Sequence, residues 1–373
     1  MRPASITDYR ALAKARLPHF LFEYIDGGSY DEVTLERNVA DLRAIALRQR
    51  VLRDVSAIDT ATELFGRRWA LPVGLGPVGL AGIYARRGEV QAARAAGTAE
   101  IPFVLSTVSA CSLAEVSAGA GVPWFQLYFV KDRGFVADLI ARAREAKCGA
   151  LVLTVDLAVP GSRYRDARAA GDGLKRWSQL LTRPGWLWDV GIKGRPHSLG
   201  NLAPILGRTA PLSDFQAWIH ANFDPSVGWK EVEWVRRQWP GPLVIKGVLD
   251  PEDARSALGC GAEGLVVSNH GGRQLDGVQS SARALPAIAD AVAGKMKLLA
   301  DGGVRSGLDV VRMLSLGADF VLLGRAWAYA LAGGGQTGVA HMLKLIEAEM
   351  RVAMALTGVT SIAQVNSTVI DRA

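Results

Sequence analysis

The chain has 373 residues, 49% hydrophobic and 21% charged, enough apolar material for one large core or two smaller ones and no basis for a disordered or fibrous protein. Its three cysteines, Cys111, Cys148 and Cys260, are scattered, odd in number and form no CxxC pair, which argues against a disulfide framework or zinc ribbon and suits a reducing cytosol. Lys and Arg outnumber Asp and Glu by 43 to 36, a net charge of +7, and the excess is local: between Arg163 and Gly200 eight basic side chains stand against three acidic ones.

The N-terminus, MRPASITDYRALAKARLPHF, has no continuous apolar stretch before its charges begin and does not read as a secretory signal. Residues 1–65 are expected to form a helical cap. The uncharged runs 70–85 and 326–341 are broken by glycine and too short to span a bilayer. From residue 71 onward, short runs rich in Val, Leu, Ile and Phe recur: 71–78, 103–107, 124–129, 150–156, 243–248, 264–269, 297–303 and 320–325. They are nearly continuous in apolar character, as parallel strands buried on both faces are. Helical segments lie between them. In 132–147, Phe135, Leu139 and Ala143 share a face, and 251–261 and 306–318 carry a glycine just past a helical pattern. Eight alternations predict an α/β fold of the TIM type, a (β/α)8 barrel; a doubly wound open sheet is the alternative.

The alternation breaks once, between strands four and five, and that gap holds the basic island. Leu174, Trp177 and Leu181 are spaced for one helical face before Pro184. Trp177, Trp186 and Trp188 among lysines and arginines suit an anionic membrane surface; a solvated active-site flap with buried tryptophans is the other reading. The island lacks the interleaved aromatic repeats of a nucleic-acid binder, so no nucleic acid is expected as a partner. The chain is thus read as a single domain over 1–373: cap 1–65, barrel 66–165 and 213–350, a basic insertion after strand four over 166–212, and a C-terminal tail over 351–373.

In a (β/α)8 barrel the working residues gather at the C-terminal ends of the strands. Polar residues collect there: Ser106 and Thr107, Gln126 and Tyr128, Thr154 and Asp156, Lys246, Ser268 and His270, Asp301, and Gly324 with Arg325. Lys246, inside an apolar run, requires an anionic partner, because an unpaired buried ammonium is costly. ADGGVRSG (300–307) and LGRAW (323–327) follow strands seven and eight, where glycine turns and arginines commonly hold a phosphate. A phosphorylated ligand lying across the barrel mouth is expected. The five histidines, His19, His197, His220, His270 and His341, show no metal-binding spacing, so no metal is expected.

The stretch SNHGGRQLD, with TVD at 154–156, FQLY at 125–128, IKG at 245–247 and the DGG/GR pair, resembles the FMN-dependent α-hydroxy-acid dehydrogenase and oxidase family. FLFEYIDGGSYDEVTLERN, GPVGLAGIYARRGEVQAA, NFDPSVGWKEVEWVR and SNHGGRQLDGVQSSARALPAIADAV extend the likeness over most of the chain, which is most similar to the bacterial quinone-linked L-lactate branch. The resemblance implies FMN as cofactor, oxidation of an L-2-hydroxy acid such as L-lactate to pyruvate, a quinone acceptor, a homotetramer, and a peripheral place on the cytoplasmic face of the inner membrane. It implies His270 as catalytic base, Asp156 orienting it, Arg273 and Arg163 with Tyr24 clamping the substrate carboxylate, and Tyr128 beside the reacting hydroxyl. For the flavin it implies Pro77, Val78, Gly79, Ser106, Gln126, Thr154, Lys246 and Ser268, and for the phosphate Asp301, Gly302, Gly303, Arg305, Gly324 and Arg325. Gly79 stands where many oxidases of the family have Ala, which leans toward a dehydrogenase. L-mandelate or another 2-hydroxy acid as substrate, O2 as acceptor with H2O2 as product, and a phosphate-binding barrel isomerase remain alternatives; the last would not need both Arg163 and Arg273 at one mouth.

Overall fold

The computed structural model describes residues 2–170, 178–195, 197–203 and 221–371. Three helices open the chain: α1 (Ile6–Arg16), α2 (His19–Asp26) and α3 (Val33–Ala44). The start of α1 is set by a capping box, in which Ser5 Oγ accepts from Asp8 N and the Asp8 carboxylate accepts from Ser5 N at 3.0 Å. The segment expected to be wholly helical ends differently, in a hairpin of β1 (Thr62–Leu64) and β2 (Arg67–Trp69). Phe65 and Gly66, both with positive φ (52° and 70°), make its two-residue turn, whose twist matches that of the paired strands. Phe-Gly is not a common sequence signal for such a turn.

The hairpin closes the floor of the barrel. Leu64 and Trp69 pack with Val104, Trp124, Val152, Val244, Val266, Leu299, Phe320 and Leu322, which form one buried cluster inside the strand ring. Eight parallel strands follow: β3 (Val73–Leu75), β4 (Val104–Leu105), β5 (Trp124–Tyr128), β6 (Leu151–Thr154), β7 (Leu243–Val248), β8 (Gly264–Val267), β9 (Lys297–Ala300) and β10 (Phe320–Leu323). Each pairs with its sequence neighbour, β10 pairs with β3, and a parallel bridge between Leu75 and Phe103 joins β3 to β4. The sheet therefore closes into a TIM barrel, and the open doubly wound sheet is ruled out. Except for β7, the strands are shorter than their apolar runs. Gln126, Tyr128, Thr154 and Lys246 stand within the ladder, while Ser106, Thr107, Asp156, Ser268, His270 and Asp301 follow it on loops at the mouth.

The crossover helices are α4 (Gly88–Thr98), α5 (Leu113–Ala120), α6 (Arg133–Glu145), α7 (Tyr164–Ala170), α8 (Trp229–Gln238), α9 (Pro251–Gly259), α10 (Ser281–Val292) and α11 (Gly307–Ser315). Phe135, Leu139 and Ala143 of α6 are buried as their spacing requires. Gly261 and Gly317 take positive φ (77° and 109°) past the ends of α9 and α11. The last helix, α12 (Arg325–Thr357), bends at Gly335, whose φ of 60° breaks its helical backbone. It runs to Thr357, into the segment read as a tail.

Within the insertion, Leu174 and Trp177 lie outside the described residues, as does 204–220. Leu181 ends a helical stretch over 178–181 and is 69% exposed. Pro184 begins a short turn, Pro184–Trp186, that runs into a wider one, Leu187–Ile192. Trp186 is buried and donates from Nε1 to Ile83 O at 2.8 Å, pinning the insertion to the barrel. Trp188 is 58% exposed, with Lys193 Nζ 4.9 Å from its ring. Of the island's two described tryptophans, one anchors it and the other faces out. Among the described residues no helix is long and apolar enough to cross a membrane.

Candidate active site

Past β8 the chain makes three consecutive left-handed residues, His270, Gly271 and Gly272, with φ of 57°, 65° and 73°. Glycine adopts this conformation freely, whereas histidine does so only where surrounding contacts enforce it. Those contacts are Ser268 Oγ, which accepts His270 N at 3.0 Å, and Asn269 Oδ1, which accepts Gly272 N at 3.1 Å. Asn269 is in turn fixed by Asn38 of α3, with Nδ2 to Oδ1 distances of 2.8 and 2.9 Å in the two directions. A side chain on Gly272 would run into Leu35 N at 2.6 Å, so the loop lies directly against α3.

The ring this loop holds out bonds Asp156 Oδ1 from Nδ1 at 2.9 Å, while its Nε2 bonds nothing among the described residues. Burial pulls the His270 pKa down, more than the pull of Asp156 raises it, and Lys246 and Arg163 push the same way as burial. The imidazole is therefore held neutral, with Nε2 free to accept a proton. Burial would raise the Asp156 pKa, but His270 and Lys246 outweigh it and keep the carboxylate ionised. Gly247 in β7 (φ 108°) makes room for Asp156: a Cβ there would lie 2.5 Å from the aspartate Cβ.

Beside this pair, two guanidiniums converge on one ring. Arg273 lies 4.9 Å and Arg163 5.9 Å from the centroid of Tyr24. Arg273 Nη1 donates to the carbonyls of Tyr24 (2.7 Å) and Gly27 (2.9 Å), and Arg163 Nε to Arg273 O at 3.4 Å. The carboxylate nearest Arg163, that of Asp166, is 3.6 Å away. Burial and then the charge of Arg273 lower the Arg163 pKa, the signature of two cations sharing a corner short of negative charge. Tyr128, whose ring packs 5.2 Å from that of Phe223, is pushed upward by burial, Asp156 and Tyr24, so its phenol stays protonated and able to donate.

A row of buried polar side chains continues around the mouth. Ser106 Oγ and Thr107 N donate to Gln126 Oε1, both at 3.2 Å, and Gln126 Nε2 donates to Thr154 Oγ1 at 3.0 Å. Lys246 finds the anionic partner its position requires: Nζ is 3.2 Å from Asp301 Oδ2 and donates to Ser268 Oγ at 2.9 Å. Burial alone would lower the Lys246 pKa; Asp301 and Asp156 raise it instead. One oxygen of the Asp301 carboxylate thus faces an ammonium.

The Arg325 guanidinium is engaged on three sides. Its three guanidinium nitrogens donate to Ile25 O (2.9 Å), Gly271 O (2.8 Å) and Gly27 O (2.8 Å), tying the cap to the histidine loop. What remains for a phosphate is backbone: Gly302 and Gly303, with φ of 97° and 82°, and the start of α12 at Gly324, where a Cβ would meet nothing within 4 Å. Arg305 sits beside them, its guanidinium 5.9 Å from the Tyr329 ring. On the far side, Pro77, Val78 and Gly79 are held between two carbonyl bonds, Trp327 Nε1 to Gly76 O at 3.0 Å and Tyr84 Oη to Gly79 O at 2.9 Å. Sequence reading missed Asn38, Asn269, Gly247, Tyr84 and Trp327 as supports. Gly247 alone left a signal, a glycine inside a strand.

These groups fit a riboflavin phosphate. Asp301 Oδ1 is buried without a hydrogen-bond partner and can accept from a hydroxyl of a polyol chain. The amide and hydroxyls of Gln126, Thr154 and Ser106 suit a heteroaromatic edge, and the glycine turns suit a phosphate. A closed barrel with such a mouth defines a TIM-barrel oxidoreductase that works on a phosphorylated cofactor. The comparisons make this specific: residues 13–372 match the FMN-dependent dehydrogenase model. The chain is 62% identical over 374 residues to an L-lactate dehydrogenase of Caulobacter sp. (strain K31), covering 99% of this chain and 98% of that one. Among solved structures it resembles the monotopic membrane protein (S)-mandelate dehydrogenase (TM-score 0.95, 34% identity, all of both chains) and a mandelate oxidase (0.85, 38%, 97% of each). The chain belongs to the FMN-dependent dehydrogenase family, and FMN is its cofactor.

Proposed function

We propose that the protein oxidises L-lactate to pyruvate and passes the electrons to a quinone-type acceptor. The observation that carries this is the pairing of a neutral, Asp156-oriented His270 with two under-compensated arginines on Tyr24. The 62% identity to an L-lactate dehydrogenase supports lactate as the first substrate to test. Arg163 and Arg273 would bind the substrate carboxylate, with Tyr24 completing the contact, and so turn the α-carbon inward. Tyr128 would donate to the substrate oxygen. His270 Nε2 would take the hydroxyl proton, and Asp156 would stabilise the imidazolium that forms.

FMN, when bound, supplies the two-electron acceptor for the substrate carbon. Pro77, Val78, Gly79, Ser106, Gln126, Thr154, Lys246 and Ser268 would hold its ring, with Lys246 opposing negative charge there. Asp301 would accept from its polyol chain, and Gly302, Gly303, Arg305, Gly324 and the backbone of Arg325 would surround its phosphate.

L-mandelate is the second reading, favoured by the likeness to mandelate enzymes in structure and by the aromatic pair Tyr128–Phe223 at the mouth. The acceptor reading leans on Gly79, where a Cβ would meet Val108 Cγ2 at 2.8 Å and narrow the space beside the loop. Trp188 and Ile192 are exposed next to Lys193, and Leu181 is exposed in the same insertion, a suitable surface for an anionic membrane holding quinone. A peripheral, cytoplasmic-side tetramer is the state the family resemblance implies. The deciding experiment is an anaerobic titration of the purified yellow protein with L-lactate and, separately, L-mandelate, followed by quinone or air. Bleaching by lactate with faster recovery on quinone is expected. Bleaching by mandelate alone transfers the proposal to mandelate, and no bleaching by either rejects it.

A further inference from the structure

Next to the paired arginines, three carboxylates converge on a single guanidinium, that of Arg165 in the first turn of α7. Its Nη2 lies 2.8 Å from Asp26 Oδ2, its Nη1 3.3 Å from both oxygens of Glu32, and its Nε bonds Glu23. Asp26, only 5% exposed, also accepts from Arg10 Nε and Nη2 (2.5 and 2.7 Å) and from Tyr329 Oη (2.7 Å). Glu32 accepts in addition from Gly28 N at 2.7 Å.

Stability accounts for part of this arrangement, because Asp26 is buried and needs its partners. It does not account for gathering three anions beside a site built to receive another anion, which works against binding. The arrangement does have a clear geometric effect. Glu23 and Asp26 flank Tyr24 on α2, and the carbonyls of Tyr24 and Gly27 at the end of that helix hold Arg273. Arg163 lies two residues before Arg165 on the approach to α7. Arg165 therefore bolts the segment carrying Arg163 to the helix that carries Tyr24 and seats Arg273.

We infer that Arg165 is a positioning residue, whose fork onto Glu23, Asp26 and Glu32 fixes Arg163, Arg273 and Tyr24 as one rigid carboxylate clamp. The inference rests on the reading of that trio as the substrate anchor. A guanidinium holds its five donors in one rigid plane and so fixes the directions of the three carboxylates; an ammonium, a compact charge on a flexible stem, holds them less firmly.

The test compares Arg165→Met and Arg165→Lys with Arg10→Met, which removes the other arginine on Asp26 but touches nothing on α7. For each holoenzyme, KM and kcat for L-lactate are measured, together with the Tm increase given by oxalate, a non-reacting dicarboxylate. Both methionine variants should lose comparable Tm without ligand. Arg165→Met alone should raise KM about 10- to 100-fold, with kcat changed less and the oxalate-induced Tm increase lost. Arg165→Lys, which keeps the charge if the methionine variant fails to fold, should lie between it and the unmodified protein. Equal KM and equal oxalate response in the Arg165 and Arg10 variants overturn the inference. An unmodified protein that is neither reduced by a 2-hydroxy acid nor stabilised by oxalate overturns the anchor reading itself.

Discussion

At the scale of single residues, the proposed chemistry turns on which state of His270 the fold favours. Its carboxylate partner alone would make it more basic, but burial and the cations Lys246 and Arg163 act more strongly and in the opposite direction. The expected pH profile follows from the sign. A lowered pKa keeps the base unprotonated through neutral pH, so kcat/KM should be flat from pH 7 upward until another group titrates. It should fall on the acid side at a pH below the ordinary histidine value. A fall centred above that value would contradict the environment found here. His270→Gln should lower turnover by about 10²–10⁴-fold while the protein stays yellow, because the amide that replaces the imidazole has no basic nitrogen to take the hydroxyl proton. A His270→Gln variant of near-normal rate would remove the proposed base.

At the scale of elements, the mouth depends on close approaches that only glycine permits. Gly247 is the sharpest case, since its missing side chain is where Asp156 packs. Gly247→Ala should displace Asp156 and free the imidazole, lowering kcat, and its positive φ should cost on the order of 1–3 kcal/mol of stability. Thermal unfolding and single-turnover flavin reduction check the two effects separately. If Gly247→Ala reduces its flavin at the unmodified rate, the contact with Asp156 is not needed for orientation. The loop Pro77–Gly79 shows the same economy, held at its flanking carbonyls by Trp327 and Tyr84. Neither aromatic belongs to a strand of the barrel, yet both shape its rim.

At the scale of the whole molecule, the cap, the barrel and the insertion meet at one end. The hairpin seals the opposite end, so ligands are confined to the mouth. The insertion is fixed by Trp186 and exposes Leu181 together with Trp188 and Ile192, the last two beside Lys193. Sedimentation with anionic liposomes at low salt should carry the protein down, and replacing Trp188 and Ile192 by serine should release it without changing flavin content. Protein that stays in the supernatant under those conditions contradicts the membrane reading.

Short-range pattern in the chain was sufficient to establish the eight strands, the crossover helices and the residue types at the strand ends. Burial on both faces leaves continuous apolar runs, and polar residues enter near their C-terminal ends, some within the strand, as Gln126 and Lys246 are, and some just past it. The long motif SNHGGRQLD marked the histidine loop for the same reason, since its special backbone needs consecutive local residues. What only the tertiary structure decided depends on partners distant in sequence. The carboxylate of Asp301 faces Lys246, Arg325 faces carbonyls of the cap, Gly247 faces Asp156, and Arg165 gathers Glu23, Asp26 and Glu32. Barrel closure, too, came down to one bridge between Leu75 and Phe103. A side chain's type limits the bonds it can make, but which of them it makes is set by what the folded chain brings within about 3 Å of it.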